Sequence, residues 1–226
     1  RSSCEEPRPI GASMTRVAKG ISRGSIIEAA LAVLDEKGIE GLTVRALARR
    51  LGVQAPALYW HVESKRELFD EMGTEISRRV AAAMDTAPPT EGWRDGLALF
   101  ARVLRREYLV HRDGARIFAG VRITDPAVLR SQERWLAHWT ASGLAPEKVA
   151  RAAQLVTWFV VGFVIEEQER ADPRGSRSMV RQPDGALAAD LPLITRVGPS
   201  LFAQNDERFE FCLDTVLTGL QVRFDS

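Results

Sequence analysis

Residues Leu155 to Ile165 read Leu-Val-Thr-Trp-Phe-Val-Val-Gly-Phe-Val-Ile, apolar nearly all round at helical spacing. A helix without a polar face must be covered on every side. The run is shorter than the ~18–20 residues that cross a bilayer, and Thr157 and Gly162 interrupt it, so the expected cover is protein. One face then lines a core or an internal pocket, and another packs against a partner subunit. Gly162 permits close helix approach. The run sits inside one long pattern from Pro146 to about Arg170, with proline at the first position and Glu147 beside it, as a helix N-terminus favours.

The rest of the chain repeats that periodicity. Ser25 to Lys37 carries Ile26, Ile27, Ala30, Leu31 and Leu34, with Gly38 as a stop. Thr43 is an N-cap for a short helix through Arg50, ended by Gly52, and a second short helix covers about Ala55 to His61. Ser64 with Glu67 three residues on is a capping box that opens a helix to about Met84. Helices are also expected over Trp93 to His111, from Pro126 to Gly143, weakly over Leu187 to Phe202 with breaks at Pro192 and Pro199, and from an Asn205 cap to the end. Phe209, Leu213, Val216, Leu217 and Leu220 form one stripe on that last helix, the expected second contributor to a dimer seam. No alternating β-branched run occurs, so the fold class is all-α. The expected organisation is a flexible tail over 1–21, with Met14 a candidate start, then a helix-turn-helix domain over 22–66. A connecting helix over 67–87, a Pro88-Pro89 linker and a second helical domain over 91–226 follow; residues 171–186 read as a loop.

The formal net charge is +1, but residues 1–66 hold 11 Lys/Arg against 7 Asp/Glu and residues 67–226 hold 20 against 23. A basic N-terminal part suggests a polyanionic partner there. Cys4 and Cys212 form neither a metal spacing nor a disulfide framework, and no signal-peptide pattern opens the chain, so a cytoplasmic protein without a membrane span is expected. His61, His111 and His138 lie on different helices or helix ends, outside any nucleophile or metal motif, and no glycine-rich phosphate loop occurs. No catalytic residue, metal ligand or cofactor is therefore expected.

Two short helices joined by Gly52-Val53-Gln54 are a helix-turn-helix candidate. Gln54-Ala55-Pro56-Ala57-Leu58-Tyr59-Trp60-His61 has small residues that let a backbone approach base edges, then side chains that reach bases or phosphates. A tight three-helix bundle without DNA remains the alternative on spacing alone. Gly38 to Thr43, Leu51-Gly52-Val53, Leu58 to Val62 and Lys65-Arg66 resemble the DNA-binding domain of the tetracycline-repressor (TetR) family. His111 to Ala115 and Gly162 to Glu169 resemble the C-terminal domain of the tetracycline repressors themselves, and the resemblance spans about residues 22–225. It implies a homodimeric repressor that binds a double-stranded operator and is released by a small molecule, with two helices from each subunit at the interface. An activator or DNA-organising protein without a ligand is the other reading.

By resemblance, Arg45 takes the place of a base-reading arginine, Thr43 and Lys65 of phosphate contacts, and Tyr59 and His61 of recognition-helix contacts, with Trp60 between them. Ala55 and Ala57 stand where the tetracycline repressors carry Gln and Thr, so a different operator is implied. The resemblance also aligns Phe118 and Val121 with the metal-site His and Thr, leaving Glu166 alone of that set, and aligns Ala81, Phe100 and Trp158 with drug-contacting polar positions. One carboxylate cannot satisfy a hard octahedral ion. The expected effector pocket is metal-free and aromatic, lined by Phe100, Leu104, Phe118, Trp135, Trp139 and Trp158, with Arg122, His138 and Glu166 as polar handles. Such walls suit a large, flat, polyketide-like aromatic molecule.

Overall fold

The computed structural model describes residues 21–141, 143–171, 183–202 and 204–225, without the side chains of 201 and 202. The expected tail, Cys4 and most of the expected 171–186 loop lie outside the described residues. Among those described, every element is helical: α1 (Arg23–Gly41), α2 (Val44–Leu51), α3 (Ala55–Leu58), α4 (Lys65–Thr86), α5 (Gly92–Val110), α6 (Gly114–Phe118), α7 (Pro126–Thr140), α8 (Pro146–Ala171), α9 (Gly185–Asp190), α10 (Pro192–Phe202) and α11 (Asn205–Asp225).

The capping residues act as their chemistry dictates. Ser22 and Ser25 form a reciprocal capping box on α1, and Thr43 Oγ1 accepts from the Ala46 N–H at 3.1 Å. Ser64 Oγ accepts from the Glu67 N–H at 3.1 Å, while the Glu67 carboxylate reaches back to the Glu63 N–H at 2.7 Å. Gly52 ends α2 in the left-handed region. Gly38 also has positive φ but kinks rather than ends α1, and one more turn follows to Gly41. The second short helix is a single turn: after Leu58 the chain tightens, with the His61 N–H bonded to the Leu58 carbonyl at 3.0 Å. Pro192 opens α10 where a break was expected, but Pro199 lies inside it.

Two cores result. Ile26, Ala30, Leu34, Leu47, Leu58 and Met72 bury the faces of α1 to α3 against the start of α4. Ile76, Val80, Leu97, Val156, Val160 and Phe209 do the same for the rest of α4 with α5, α8 and α11. Helix α4 therefore serves both, and so does α6, a helix with no sequence signal: Ile117 is buried in the first core and Ala115 in the second. Val121, just after α6, presses on α4 so closely that a methyl group on Gly73 would sit 2.4 Å from it.

Helix α8 corrects one expectation and sharpens another. At 26 residues, with an 18-residue window of mean hydropathy 1.5, it is long and apolar enough by length and composition to cross a membrane, although the Leu155–Ile165 run is not. It packs as a core helix along Val149, Ala152, Val156, Val160 and Val164, all buried. Its opposite stripe, Leu155, Trp158 and Gly162, is exposed within the single chain. The stripe on α11 is not outward as expected. Phe209, Leu213 and Leu217 are buried in the chain's own core, with Phe209 stacked on Phe159 at 5.4 Å. The outward face of α11 carries Phe211 and Val222, 74% and 65% exposed. Periodicity marks a stripe without saying what covers it, hence the misassignment.

The tightest packing offers a stability test. A methyl group on Gly96 of α5 would lie 1.9 Å from Trp139 Nε1 and 2.5 Å from Cδ1, on a rigid indole already buried. Gly96→Ala is expected to lose about 1–3 kcal/mol by overpacking, read as a lower urea midpoint with the slope unchanged.

Candidate nucleic-acid interface and effector pocket

The turn between α2 and α3 sets one exposed face. Arg45 lies exposed on α2, and Arg49, four residues on, shares its side of the helix; no motif singles Arg49 out in the sequence. Gln54 and Pro56 are exposed, Ala55 and Ala57 half-buried, and Leu58 is the anchor into the core. Tyr59 is 55% and Trp60 89% exposed, so two large aromatics stand side by side in solvent, with half-buried His61 next to them. Lys65 is exposed with its Nζ 5.3 Å from the Phe69 ring centroid. The Thr43 hydroxyl is engaged as a cap, so Thr43 orients α2 whatever else it touches. Arg50 and Arg66 are engaged within the chain, with Glu36 and with the Gly120 carbonyl.

The expected pocket residues separate into three groups. Phe100, Trp135 and Trp139 form one cluster across α5 and α7, with centroids 5.8, 6.1 and 6.3 Å apart. Trp139 and Leu104 are 3% and 2% exposed, which makes them core packing rather than free wall. Half-buried Trp135 donates its Nε1–H to Asp85 at 3.1 Å, and Asp85 also takes bonds from Ser131 and Arg134. Burial alone would raise the Asp85 carboxyl, but the bonds from Ser131, Trp135 and Arg134 and the Arg134 charge outweigh it and hold it below its ordinary 3.8.

The second group surrounds α6. Phe118 lies against buried Tyr108 with centroids 4.9 Å apart, and Val121 fills the space over Gly73. The third group faces outward. Trp158 is 66% exposed, Glu166 pairs with Arg170 at 2.7 Å one turn on, and the Arg122 side chain is exposed. His138 clips a helix end to the linker by a 2.9 Å bond with the Thr90 carbonyl oxygen. Within one chain Trp158 and Glu166 therefore do not close a pocket with the α5–α7 aromatics, because both are exposed, on the side of α8 away from its buried valines, and His138, on α7 itself, is exposed and held to the linker.

Polar groups that sequence reasoning left without a role meet between the two cores. Asp35 of α1 lies 3.0 Å from His111 Nδ1, and Arg79 of α4 lies 2.8 Å from His111 Nε2. Arg79 can only donate, so Nε2 accepts and Nδ1–H donates to Asp35, which fixes the neutral tautomer in this arrangement. Gln168 near the end of α8 donates to the Tyr108 and His111 carbonyls at 3.1 and 2.7 Å, and the Ile39 N–H donates to Asp113 at 2.8 Å. The His111–Ala115 and Gly162–Glu169 segments thus converge on the joint with α1. A cavity of about 630 Å³ opens there, bordered by Lys37, Glu40, Arg112, Asp113, Arg116 and Gln168, none of them among the expected effector residues.

Comparison with known proteins decides the class. Residues 26–72 match the family described as bacterial regulatory proteins, tetR family, and residues 86–224 match the tetracyclin repressor-like C-terminal domain. The chain belongs to the TetR family. It is 35% identical over 214 residues to the class G tetracycline repressor of Vibrio anguillarum, covering 89% of this chain and 94% of that protein. Among solved structures it is similar to a tetracycline-repressor variant from Acinetobacter baumannii AYE in complex with minocycline, at 33% identity and TM-score 0.70, covering 91% of this chain and 96% of that one. It is also similar to the TetR family protein ActR of Streptomyces coelicolor in complex with actinorhodin, at 27% identity and TM-score 0.73, covering 92% and 100% of the two chains.

The Asp85 cluster carries a pH test. A carboxylate held below its ordinary value adds stability that is present above that value and lost as pH falls through the lower folded one. Asp85→Asn is expected to destabilise the protein at pH 7 and to close most of the gap to the parent once the pH is well below the ordinary 3.8. Urea unfolding of both proteins across that range checks the sign.

Proposed function

We propose that the protein is a cytoplasmic transcriptional repressor that binds a palindromic operator as a homodimer and is released by a large aromatic effector without a metal ion. The observation that carries the operator reading is the exposed surface itself: Arg45 exposed on α2, and Tyr59 and Trp60 exposed just after α3, which opens on the small residues Ala55, Pro56 and Ala57. In this reading α2 braces the backbone through its cap Thr43, Lys65 at the start of α4 adds a second phosphate contact, Arg45 reads a base, and Gln54 to Ala57 and Tyr59 to His61 enter the major groove. Alanine at positions 55 and 57 offers only apolar contact to a thymine methyl.

Family membership and the outward faces support the dimer. Leu155, Trp158, Phe211 and Val222 leave apolar surface on α8 and α11, and Gly162 and Gly219 on the same helices have open space where a Cβ would be. In this reading a second copy covers those faces, and operator binding requires that its recognition helix lie ~34–36 Å from the first, one helical turn away. The buried Leu217 is a poor probe of this seam. Trp158→Glu is expected to give monomers in sedimentation with the helical circular dichroism retained; a dimer of unchanged stability would place the interface elsewhere.

Phe118 and Val121 bring no oxygen or nitrogen ligand to the places where the tetracycline repressors hold a chelated metal, and half-buried Phe100 and Trp135 supply flat apolar surface on α5 and α7. Relatives with tetracyclines and with actinorhodin in their names support an effector of aromatic polyketide type, and a regulated gene for efflux or antibiotic resistance. A gel-shift experiment with actinorhodin and magnesium–minocycline, each with and without EDTA, tests this. Release by actinorhodin in both conditions is expected; release by the chelate alone, abolished by EDTA, would falsify the metal-free reading. Arg45→Ala is expected to lose about 1–3 kcal/mol of discrimination at one base pair per half-site. Equal weakening on all sequences would reduce Arg45 to a phosphate contact.

A further inference from the structure

Tyr108 of α5 is fully buried, and its hydroxyl has no hydrogen-bond partner among the described residues. A buried hydroxyl left unpaired costs stability, and folded proteins rarely retain one without a use. The residue is not loosely held. Its carbonyl accepts from Gln168 Nε2 at 3.1 Å, and the same oxygen lies where a Cβ on Gly114 would be only 2.3 Å away, so the α5–α6 corner is packed onto it. Its ring lies 4.9 Å from Phe118, the half-buried side chain that replaces the metal-site histidine of the tetracycline repressors. Burial pushes the phenol well above its ordinary 10, which keeps it a proton donor at any working pH.

We propose that Tyr108 is the polar recognition residue of the effector pocket: Phe118 turns aside for the ligand, and Tyr108 Oη donates a hydrogen bond to a carbonyl oxygen conjugated to the inserted aromatic edge. This rests on the aromatic-effector reading above and deepens it. A site walled by apolar side chains such as Phe118 offers area but little orientation, and one enclosed donor supplies direction. It also selects: a flat hydrocarbon that cannot accept leaves the hydroxyl unpaired, whereas a quinone satisfies it.

The test uses the 226-residue protein and its Tyr108→Phe variant, with anthraquinone sulfonate and anthracene sulfonate as a matched pair with and without the carbonyls. Binding is read by quenching of tryptophan fluorescence, and actinorhodin release of operator DNA is read in parallel. The parent is expected to prefer the quinone by about tenfold, near the value of one well-formed bond to an otherwise unpaired buried group. The variant should lose that preference, keep its operator affinity, and melt no lower than the parent, since the removed hydroxyl has no partner. Equal preference in parent and variant overturns the assignment while leaving the effector reading intact if actinorhodin still releases the parent. A variant that melts several degrees lower shows the hydroxyl bonded in the free protein, through a buried water, and also overturns it. Failure of the parent to bind either probe overturns it outright, and failure of actinorhodin as well removes the reading on which it rests.

Discussion

A five-residue helix joins the long α4 in holding the two cores of this protein together. Helix α6 is too short to form alone, since helix nucleation is costly and one turn recovers little of it. It exists because its side chains are spent in opposite directions: Ile117 in the core of α1 to α4, Ala115 in the core of α4, α5 and α8. Gly114 admits the Tyr108 carbonyl on one side, and Val121 closes on Gly73 at the other. The polar bridge from Asp35 through His111 to Arg79 adds directional contacts across the same joint. Phe118 is adjacent to Ile117 on this helix, and Ile117 is buried in the first core. That gives a contiguous physical connection between the proposed effector site and the helix-turn-helix.

Helix α8 makes the complementary argument about assembly. Its buried stripe of valines satisfies one side through α5 and α11, and Arg105 locks that layer by pairing with Glu167 at 2.8 Å while its guanidinium lies 4.7 Å from the Phe209 ring centroid. The other side, with Trp158 two-thirds exposed, has no such cover among the described residues. Exposed indole and phenyl surface on two neighbouring helices is what a second copy would bury, and the glycines on those faces remove the steric bar to close approach.

The aromatic residues show how one composition serves two ends. Trp139 fills the notch left by Gly96 and is structural; Trp135 is tethered through its N–H to Asp85 and keeps a partly open face; Phe118 packs on the ring of Tyr108, whose enclosed hydroxyl has no partner among the described residues. The gradation from filled core to adaptable wall depends on burial and hydrogen bonding, not on residue type.

Local chemistry decided much of this fold. Serine and threonine caps at positions 22, 43 and 64, the left-handed Gly52, the prolines at 126 and 146 and the 3.6-residue periodicity place most helices within a few residues, because those signals act over one turn of chain. The family motifs on α2 and α3 were equally legible. Tertiary structure alone decided which partner covers each apolar stripe: α11 turned Leu213 and Leu217 inward and left Phe211 and Val222 outside, α8 turned Trp158 away from the aromatics of α5 and α7, and α6 arose from two cores acting on one turn of chain. Periodicity fixes that a face is apolar, but what lies against that face depends on residues distant in sequence, and only their packing settles it.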